Sequence, residues 1–170
     1  AIIYDSPITD HKRSISYAEL LADVQAFASA LSDMGIAKGD RVIIYMPMIP
    51  EAVVAMLACA RLGAIHSVVF GGFAAAELAT RIDDSGPQLI ISASCGIEPG
   101  RIVAYKPLLD HAIEMAKHKP EATIVFQRPE LACTMIAGRD HDYAELMRSH
   151  AGRTIDCTPV AGTDPLYILY

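Results

Sequence analysis

Two cationic side chains, Arg101 and Lys106, lie close together in a segment that also contains a glycine, Gly100. The segment, residues 94–106, follows the apolar run Gln88–Ala93 and is predicted to be a loop beyond the end of a buried strand. Guanidinium and ammonium groups bind phosphate, and a glycine gives the backbone freedom to approach a ligand. The residues alone predict either a phosphate contact or a solvated loop with ordinary surface charges.

A pair of glycines, Gly71 and Gly72, follows a second apolar run, His66–Phe70. Met46–Pro50 likewise follows a third apolar run, Arg41–Met46. In open α/β sheets, ligands bind beyond the carboxyl ends of the strands, so the loops after these runs are candidate binding segments. Backbone N–H groups in a glycine turn, with a helix N-terminus behind them, can bind an anion. The alternative is a tight strand-to-helix turn that needs glycine for its geometry alone.

The chain shows no pattern typical of a catalytic centre or a metal site. Cys95 has no base beside it in the sequence, which favours an inert thiol over a nucleophile. The six histidines form no H-E-x-x-H or i, i+4 pair, and His66 is expected to be packed and hydrogen-bonded. Neither a Walker phosphate loop nor a serine nucleophile elbow is found. We therefore predict no catalytic residue and no metal ligand in these 170 residues.

The segments that must position these loops alternate between helical and strand periodicity. The first helix is predicted from Ser16 to Met34, with Ser16 and Glu19 as a capping box and Gly35 as its stop. Further helices are predicted at Pro50–Leu62, at Phe73–Ser85, from Pro107 through a last turn with Lys117, His118 and Lys119, and near Asp142–Ser149. Strands are predicted at Arg41–Met46, His66–Phe70, Gln88–Ala93, Ala122–Gln127 and Pro165–Tyr170. The alternation predicts an α/β fold, a mostly parallel sheet flanked by helices, which the chain leaves between Gln127 and Asp164.

Composition excludes several classes of protein. With 52% hydrophobic and 20% charged residues, the chain is not a disordered one. A net charge of −6 with scattered basic residues argues against a nucleic-acid partner. No apolar stretch reaches the roughly 20 residues that span a bilayer, so no membrane partner is expected.

Compartment is indicated by the cysteines and the N-terminus. The four cysteines are widely spaced, which favours reduced thiols and a cytoplasmic location over a disulfide framework. Asp5 and Asp10 stand where a signal peptide would be cationic and then apolar. Because the sequence begins with Ala1, a targeting segment upstream is left open, and the mitochondrial matrix is the alternative for a eukaryotic protein.

Several segments together resemble one enzyme family. Ser16–Leu20, Gly39–Val42, Met46–Ala52 and Ala60–Phe73 look like the N-terminal subdomain of AMP-forming short-chain acyl-CoA synthetases, of the adenylate-forming superfamily. Ser94–Lys106, Pro107–Asp110 and Asp164–Tyr170 resemble the propionyl-CoA synthetase branch in particular. The match covers nearly the whole chain in the right order.

The resemblance implies a two-step ligase in the full-length parent, with ATP, CoA and Mg²⁺. A short-chain carboxylate attacks ATP to give acyl-AMP and pyrophosphate, and the CoA thiol then displaces AMP. Residues 1–170 would be part of the N-terminal subdomain, ending just before the family's phosphate loop, so these residues alone are expected to be inactive and to hold no cofactor tightly.

One site of the family falls inside the chain. The resemblance implies that Glu98, Pro99, Gly100 and Arg101 contact the nucleotide part of CoA, beside the turn Phe70, Gly71 and Gly72. Acetyl-CoA synthetases commonly carry arginine where this chain carries Glu98, and a carboxylate cannot pair with phosphate, so the role of cation falls to Arg101.

Two alternatives for the function stay open at this point. The parent is either a propionate or an acetate ligase, because the family's acyl pocket lies downstream. A self-contained, non-catalytic flavodoxin-like binding module is the alternative from another class. The apolar composition also predicts a face that packs on the rest of the parent and through which the isolated chain self-associates.

Overall fold

Five parallel strands form the central sheet of the structure, a computed structural model that describes residues 1–170. The nine strands are β1 (Ile2–Ser6), β2 (His11–Ile15), β3 (Arg41–Met46), β4 (Ile65–Phe70), β5 (Leu89–Ala93), β6 (Cys95–Glu98), β7 (Arg101–Ala104), β8 (Ala122–Phe126) and β9 (Asp140–Asp142). The five helices are α1 (Tyr17–Asp33), α2 (Pro50–Leu62), α3 (Ala75–Ser85), α4 (Tyr105–Met115) and α5 (Tyr143–Ser149). The sheet order is β4-β3-β5-β8-β9, and β1-β2 and β6-β7 are separate antiparallel hairpins.

The strand order reverses at β3. The chain steps outward from β3 to β4, then returns to pair β5 with the other side of β3. Because such crossovers are right-handed, the reversal places α2 and α3 on opposite faces of the sheet. Accordingly, α2 packs with α1, while α3 packs with α4. The reversal opens a crevice at the carboxyl ends of β3, β4 and β5, which is where doubly wound sheets bind ligands.

The central strands are buried on both faces, as their continuous apolar runs predict. Every residue of β5 is buried, and so are Val42 to Met46 of β3. The predicted α/β class and parallel sheet are therefore confirmed.

The first two helices begin and end where the sequence predicts. The Glu19 amide donates to Ser16 Oγ at 3.2 Å, and the Ser16 amide donates to Glu19 Oε2 at 2.7 Å, which closes the capping box. Pro50 opens α2, and Gly63 ends it in the left-handed conformation with φ of 69°.

Residues 95–104 form a hairpin, and Tyr105 and Lys106 begin helix α4, so the loop predicted from the sequence over residues 94–106 is wrong. Strands β6 and β7 pair antiparallel, with Glu98 opposite Arg101 and Pro99–Gly100 as the turn. Gly100 has φ of 79°, which favours glycine there, and Pro–Gly is itself a turn signal. The apolar Ile97 and Ile102 face each other across the two strands.

The last strand predicted, Pro165–Tyr170, is also wrong. Only one residue pairs with β4: the His66 amide donates to the Leu166 carbonyl and the Ile168 amide to the His66 carbonyl. The sequence analysis does not predict β1, β2 or β9. Residues His11–Ser14 of β2 are exposed and polar, and β9 has three residues, so neither strand has the apolar pattern that sequence analysis detects.

Two helices differ from prediction at their ends. Helix α3 begins at Ala75 rather than Phe73. Helix α4 begins at Tyr105 and ends at Met115, so Lys119 lies beyond its last turn. The ammonium of Lys119 nevertheless reaches back to the Ala116 carbonyl at 2.6 Å, which supplies the cation that a helix C-terminus favours.

Lys106 lies in a buried ion cluster, so it is neither the phosphate contact nor the ordinary surface charge that the sequence left as alternatives. Its Nζ is 2.7 Å from Asp110 Oδ2 and 2.9 Å from Asp140 Oδ2. Arg139 Nε donates to Asp140 Oδ1 at 2.6 Å, and the Thr123 hydroxyl donates to the same oxygen at 2.6 Å. The side chains of Lys106 and Asp140 are 3% and 0% exposed. The cluster fastens the edge strand β9 to α4.

We predict that Asp140→Asn destabilises the fold by about 3 kcal/mol at pH 7, because Lys106 and Arg139 then lose the charge that pairs them in the interior. Burial opposes ionisation of Asp140, but hydrogen bonds led by Arg139 outweigh it and hold the pKa of this carboxyl well below its ordinary value. An aspartate in the unfolded chain has a pKa of about 3.9. The contribution of Asp140 is therefore complete above about pH 4 and is lost as the pH falls further.

Urea unfolding of the wild type and Asp140→Asn at pH 7, 5 and 3.5 measures this. The stability difference should shrink at the lowest pH. Asp5→Asn is the matched control, because Asp5 pairs with Lys12 at an exposed site, and it should change stability little. An equal loss for both variants, or a difference that does not depend on pH, contradicts the assignment.

Candidate functional site

A cleft of about 280 Å³ opens at the carboxyl ends of β3 and β4. Pro47 follows β3, Phe70 and Gly71 follow β4, and Glu98 ends β6. The turn of the β1–β2 hairpin, which begins at Pro7, also lines the cleft. We call this the strand-end cleft, and its deeper lining includes Tyr105 and Arg128.

The strand-end cleft joins the two segments that the resemblance assigns to CoA. A Cβ placed on Gly72 would lie 3.6 Å from Glu98 Oε1, so the glycine turn and the β6–β7 hairpin are neighbours. Of the seven predicted site residues, Phe70, Gly71 and Glu98 line the cleft. Gly72 adjoins it, and the hairpin turn with Pro99, Gly100 and Arg101 lies outside the lining.

Arg101 is paired with Glu98 across the hairpin turn. Its Nε donates to Glu98 Oε2 at 2.7 Å, and its Nη2 lies 2.6 Å from the same oxygen. The Arg101 side chain is 70% exposed and the Glu98 side chain 37%. An anion that binds Arg101 must therefore compete with the carboxylate of Glu98.

Two backbone N–H groups at the glycine turn already donate hydrogen bonds to other groups of the protein. The Gly72 amide donates to the Tyr45 hydroxyl at 3.4 Å, and the Phe73 amide donates to the Phe70 carbonyl at 3.3 Å. Both N–H groups thus already have acceptors, one in the turn and one on β3, as in the alternative in which glycine serves geometry. What the turn offers to a ligand is the ring of Phe70, which is 61% exposed, and the bare glycine backbone.

The ring of Tyr105, to which the sequence analysis assigns no role, packs between the two segments. A Cβ on Gly71 would come within 2.2 Å of the ring, and one on Gly96 within 2.1 Å of the hydroxyl. Glycine is required at both positions because the aromatic side chain occupies the space. No sequence signal pairs Tyr105 with glycines 34 and 9 residues away.

A second tyrosine, Tyr45, forms hydrogen bonds with the turn. The Tyr45 hydroxyl donates to the Phe73 carbonyl at 3.0 Å, and the rings of Tyr45 and Tyr105 are 5.2 Å apart. Burial raises the pKa of Tyr105 to about 12 and raises the pKa of Tyr45 as well. Both phenols are therefore neutral at physiological pH.

The other candidates from the sequence form no second site. Cys95 is buried and free, and burial raises the pKa of its thiol, which makes it a poor nucleophile. His66 is buried as predicted, but its Nδ1 has no hydrogen-bond partner, so the expected hydrogen bond is wrong. Burial lowers the pKa of His66 and keeps the ring neutral. No group of three His, Cys, Asp or Glu side chains is arranged to hold a metal, and none of the five helices has the length and apolar character to cross a membrane.

Strand order, flanking helices and a cleft at the strand ends define a doubly wound α/β domain. The chain belongs to the AMP-binding enzyme family, whose pattern matches residues 1–170.

Individual proteins similar to this chain include short-chain acyl-CoA synthetases. The chain is 53% identical to the mitochondrial acyl-CoA synthetase short-chain family member 3 of Rattus norvegicus, over all of this chain and 25% of that protein. It is 54% identical to an uncharacterized protein of Pseudomonas aeruginosa and 44% identical to the propionate–CoA ligase of Escherichia coli, again over the whole chain and 27% of each relative. The chain thus spans about a quarter of the length of these relatives.

We predict that Gly71→Ala lowers the free energy of unfolding by about 1–3 kcal/mol, because the new methyl group collides with the Tyr105 ring. Combining it with Tyr105→Leu should cost less than the sum of the two single changes, since the shorter side chain removes the obstacle. Gly162→Ala is the control, because open space surrounds that position. Urea unfolding of the four variants and the wild type measures the cycle, and strict additivity would show that the ring does not limit position 71.

Proposed function

We propose that residues 1–170 are the N-terminal part of an AMP-forming short-chain acyl-CoA synthetase that acts on propionate. In the first step a carboxylate oxygen attacks the α-phosphorus of ATP and pyrophosphate leaves. In the second step the CoA sulfur attacks the acyl carbon, AMP leaves and the thiol proton passes to solvent. Binding of ATP and Mg²⁺ belongs to parts of the polypeptide outside residues 1–170. The share of these residues is to bind the nucleotide part of CoA at the strand-end cleft.

The observation that carries the proposal is the convergence of the two segments. The Phe70–Gly72 turn and the β6–β7 hairpin are separated in sequence, yet Phe70, Gly71 and Glu98 line one cleft at the strand ends, and a Cβ on Gly72 would lie 3.6 Å from Glu98 Oε1. The exposed ring of Phe70 offers a flat apolar surface for a base, and the hairpin offers the guanidinium of Arg101 for a phosphate. A short-chain substrate is supported by the relatives, of which one bears the name propionate–CoA ligase.

The pairing of Glu98 with Arg101 sets the strength of this contact. A phosphate replaces the carboxylate as the partner of Arg101, so part of the attraction is spent in separating the existing pair. Removing the charge of Glu98 should therefore strengthen the binding of CoA.

The location proposed for the protein is the cytoplasm, where free thiols such as those of the four cysteines persist.

The test is made on the longer polypeptide that contains these residues. Propionate-dependent ATP–pyrophosphate exchange reports the first step, and thioester formation at varied CoA reports the second. Arg101→Ala should raise the KM for CoA about three- to a hundredfold, the range for a hydrogen bond to a charged group that is partly exposed. Exchange should stay near wild type, because CoA takes no part in it. Glu98→Gln should lower the KM for CoA.

Controls separate this outcome from simpler ones. Arg153→Ala removes a half-exposed, carboxylate-paired arginine whose partner Asp33 also lies outside the cleft lining, and it should leave both reactions unchanged. The 170 residues alone should release no pyrophosphate above a blank without protein. Equal losses of exchange and thioester formation in Arg101→Ala would make the hairpin structural, and absence of propionate-dependent exchange in the longer polypeptide would refute the proposed ligase.

We also propose that the 170-residue chain self-associates through the outer edge of β4 and the last residues. Val68 of β4 is 43% exposed, Leu166 is 51% exposed and Leu169 is 81% exposed. These apolar side chains accompany the outer edge of β4, which pairs with a single residue of the C-terminal segment and so leaves most of its backbone groups unpaired on that side. Sedimentation of the chain should show dimers at high concentration. Leu169→Glu should weaken them, whereas Ile3→Glu, at an equally exposed site on the β1–β2 hairpin, should not. A monomer at every concentration contradicts the proposal.

A further inference from the structure

His66 of β4 carries a buried ring nitrogen without a hydrogen-bond partner. The side chain is 6% exposed, and its Nδ1 has neither a donor nor an acceptor within hydrogen-bond distance. In the neutral ring this nitrogen can be a bare lone pair, which forgoes one hydrogen bond. In the charged ring both nitrogens carry a proton, so Nδ1–H would be a buried, charged donor without an acceptor. The buried position therefore suits the neutral ring and opposes the charged one.

The same residue fastens the segment Pro165–Tyr170 to the sheet. The His66 amide donates to the Leu166 carbonyl at 3.3 Å, and the Ile168 amide donates to the His66 carbonyl at 3.0 Å. Ser67 adds a bond from its hydroxyl to the Ile168 carbonyl at 3.1 Å. The hydrogen bonds that join this segment to β4 thus converge on His66 and its neighbour in the strand.

The groups that face the ring of His66 are uncharged. From the segment, the ring of Tyr167 faces it, with the two ring centroids 5.9 Å apart. On β3 its neighbour in register is the apolar Val42. Burial alone lowers the pKa of His66, and no carboxylate or cation acts on it. A proton on the ring therefore gains no ion pair inside the protein, and the charged ring is stable only in contact with water.

The other polar contacts of the segment keep their charge states near pH 6. Just before the segment, Lys38 Nζ lies 2.8 Å from Asp164 Oδ2, and this pairing holds the pKa of Asp164 below its ordinary value. The Tyr170 hydroxyl donates to Asp84 Oδ2 at 2.6 Å, and burial, with this bond, raises the pKa of the phenol. Histidine is the side chain whose ordinary titration falls between about pH 5 and 8, so His66 is the titrating contact of this segment.

We propose that His66 is a pH-sensitive latch: its ring must reach water to take up a proton, and in doing so it releases the Pro165–Tyr170 segment from β4. With the ring neutral, Tyr167 packs beside it and the segment pairs with the strand. With the ring charged, the imidazole turns out to water. The backbone bonds on either side of it then lose the packing that supports them.

The direction of the switch follows from proton linkage. A histidine in contact with water has a pKa of about 6.5, and the packed His66 ring has a lower one, so the released state binds the proton more tightly. The latch is therefore complete above about pH 6.5 and weakens as the pH falls through the pKa of the packed ring. Because one proton is taken up on release, the released population rises up to about tenfold for each pH unit in that range.

Amide hydrogen exchange of the 170-residue chain, followed by NMR between about pH 5 and 7.5, tests the latch. After correction for the intrinsic pH dependence of exchange, protection of the Ile168 amide should fall up to about tenfold for each pH unit below about 6.5. Ile91, buried in the central strand β5, is the internal reference. Ile168 should be less protected than Ile91 at every pH, because the segment opens locally while the sheet stays folded.

Two variants separate the His66 proton from other titrations. His66→Phe keeps a flat ring that cannot titrate, so the protection of Ile168 should no longer depend on pH. His118→Gln is the matched control, because His118 Nε2 already has a partner, the Pro87 carbonyl oxygen at 2.7 Å. This variant should keep the pH dependence of the wild type.

Reciprocity supplies a second measurement, the titration of the His66 ring signals. The ring should titrate below about pH 6.5 in the wild type and close to that value in Tyr167→Ala, where the ring is uncovered. Tyr17→Ala, at an exposed site on α1, should leave the pKa of His66 unchanged.

The latch is overturned by any of three results. These are a protection of Ile168 that does not depend on pH, an equal protection of Ile168 and Ile91, and an unaltered pH dependence in His66→Phe. If His66→Phe does not fold, the wild-type profile and Tyr167→Ala still decide. The proposal then requires both the loss of Ile168 protection at low pH and a higher pKa of His66 in Tyr167→Ala, and the absence of either one contradicts it.

Discussion

The position of β3 between β4 and β5 is the constraint on which the cleft depends. The apolar run of β3 is buried on both faces and must pair on both sides, so the chain places one successor on each side of it. Right-handed crossovers then send the connecting helices to opposite faces, and no helix covers the ends of the three strands. The cleft at those ends is therefore a product of burying β3, and the loops that line it are free to carry binding groups.

Within that frame, the shape of the cleft is set by the ring of Tyr105. Loops at strand ends are ordinarily mobile, but here two of them close on one rigid side chain, with Gly71 on one side and Gly96 on the other. Tyr45 holds the same turn through its hydroxyl, with bonds to Gly72 and Phe73. Two neutral phenols thus fix the distance between the segments that the family resemblance assigns to CoA. Neither phenol needs to change its protonation state to do so.

Sequence patterns predicted what local rules control. The capping box at Ser16, the proline at the start of α2 and the continuous run of β3 each depend on neighbours within a few residues, and the structure has all three. Errors arise where a distant partner decides. An apolar run such as Pro165–Tyr170 has strand propensity, but a strand also requires a neighbour to pair with along its length, and β4 supplies one residue. Lys106 looks like a surface cation because its partner Asp140 is 34 residues away.

The same limit applies to the charges of the site. From the sequence, the cations after β5 are equivalent candidates for phosphate, and only folding separates them: Lys106 becomes interior and paired, whereas Arg101 is exposed and held by Glu98. Arg128, far along the chain, takes the buried position at the cleft. A guanidinium at the buried end interacts in a low dielectric and is screened little by salt, whereas one at the surface is screened strongly. The carboxylate partner and the depth that each cation acquires in the fold, which composition and spacing do not encode, therefore determine which of them can bind an anion: Lys106 is paired with Asp110 and Asp140, Arg128 lies 3.6 Å from Glu130, and Arg101 is paired with Glu98 at the surface.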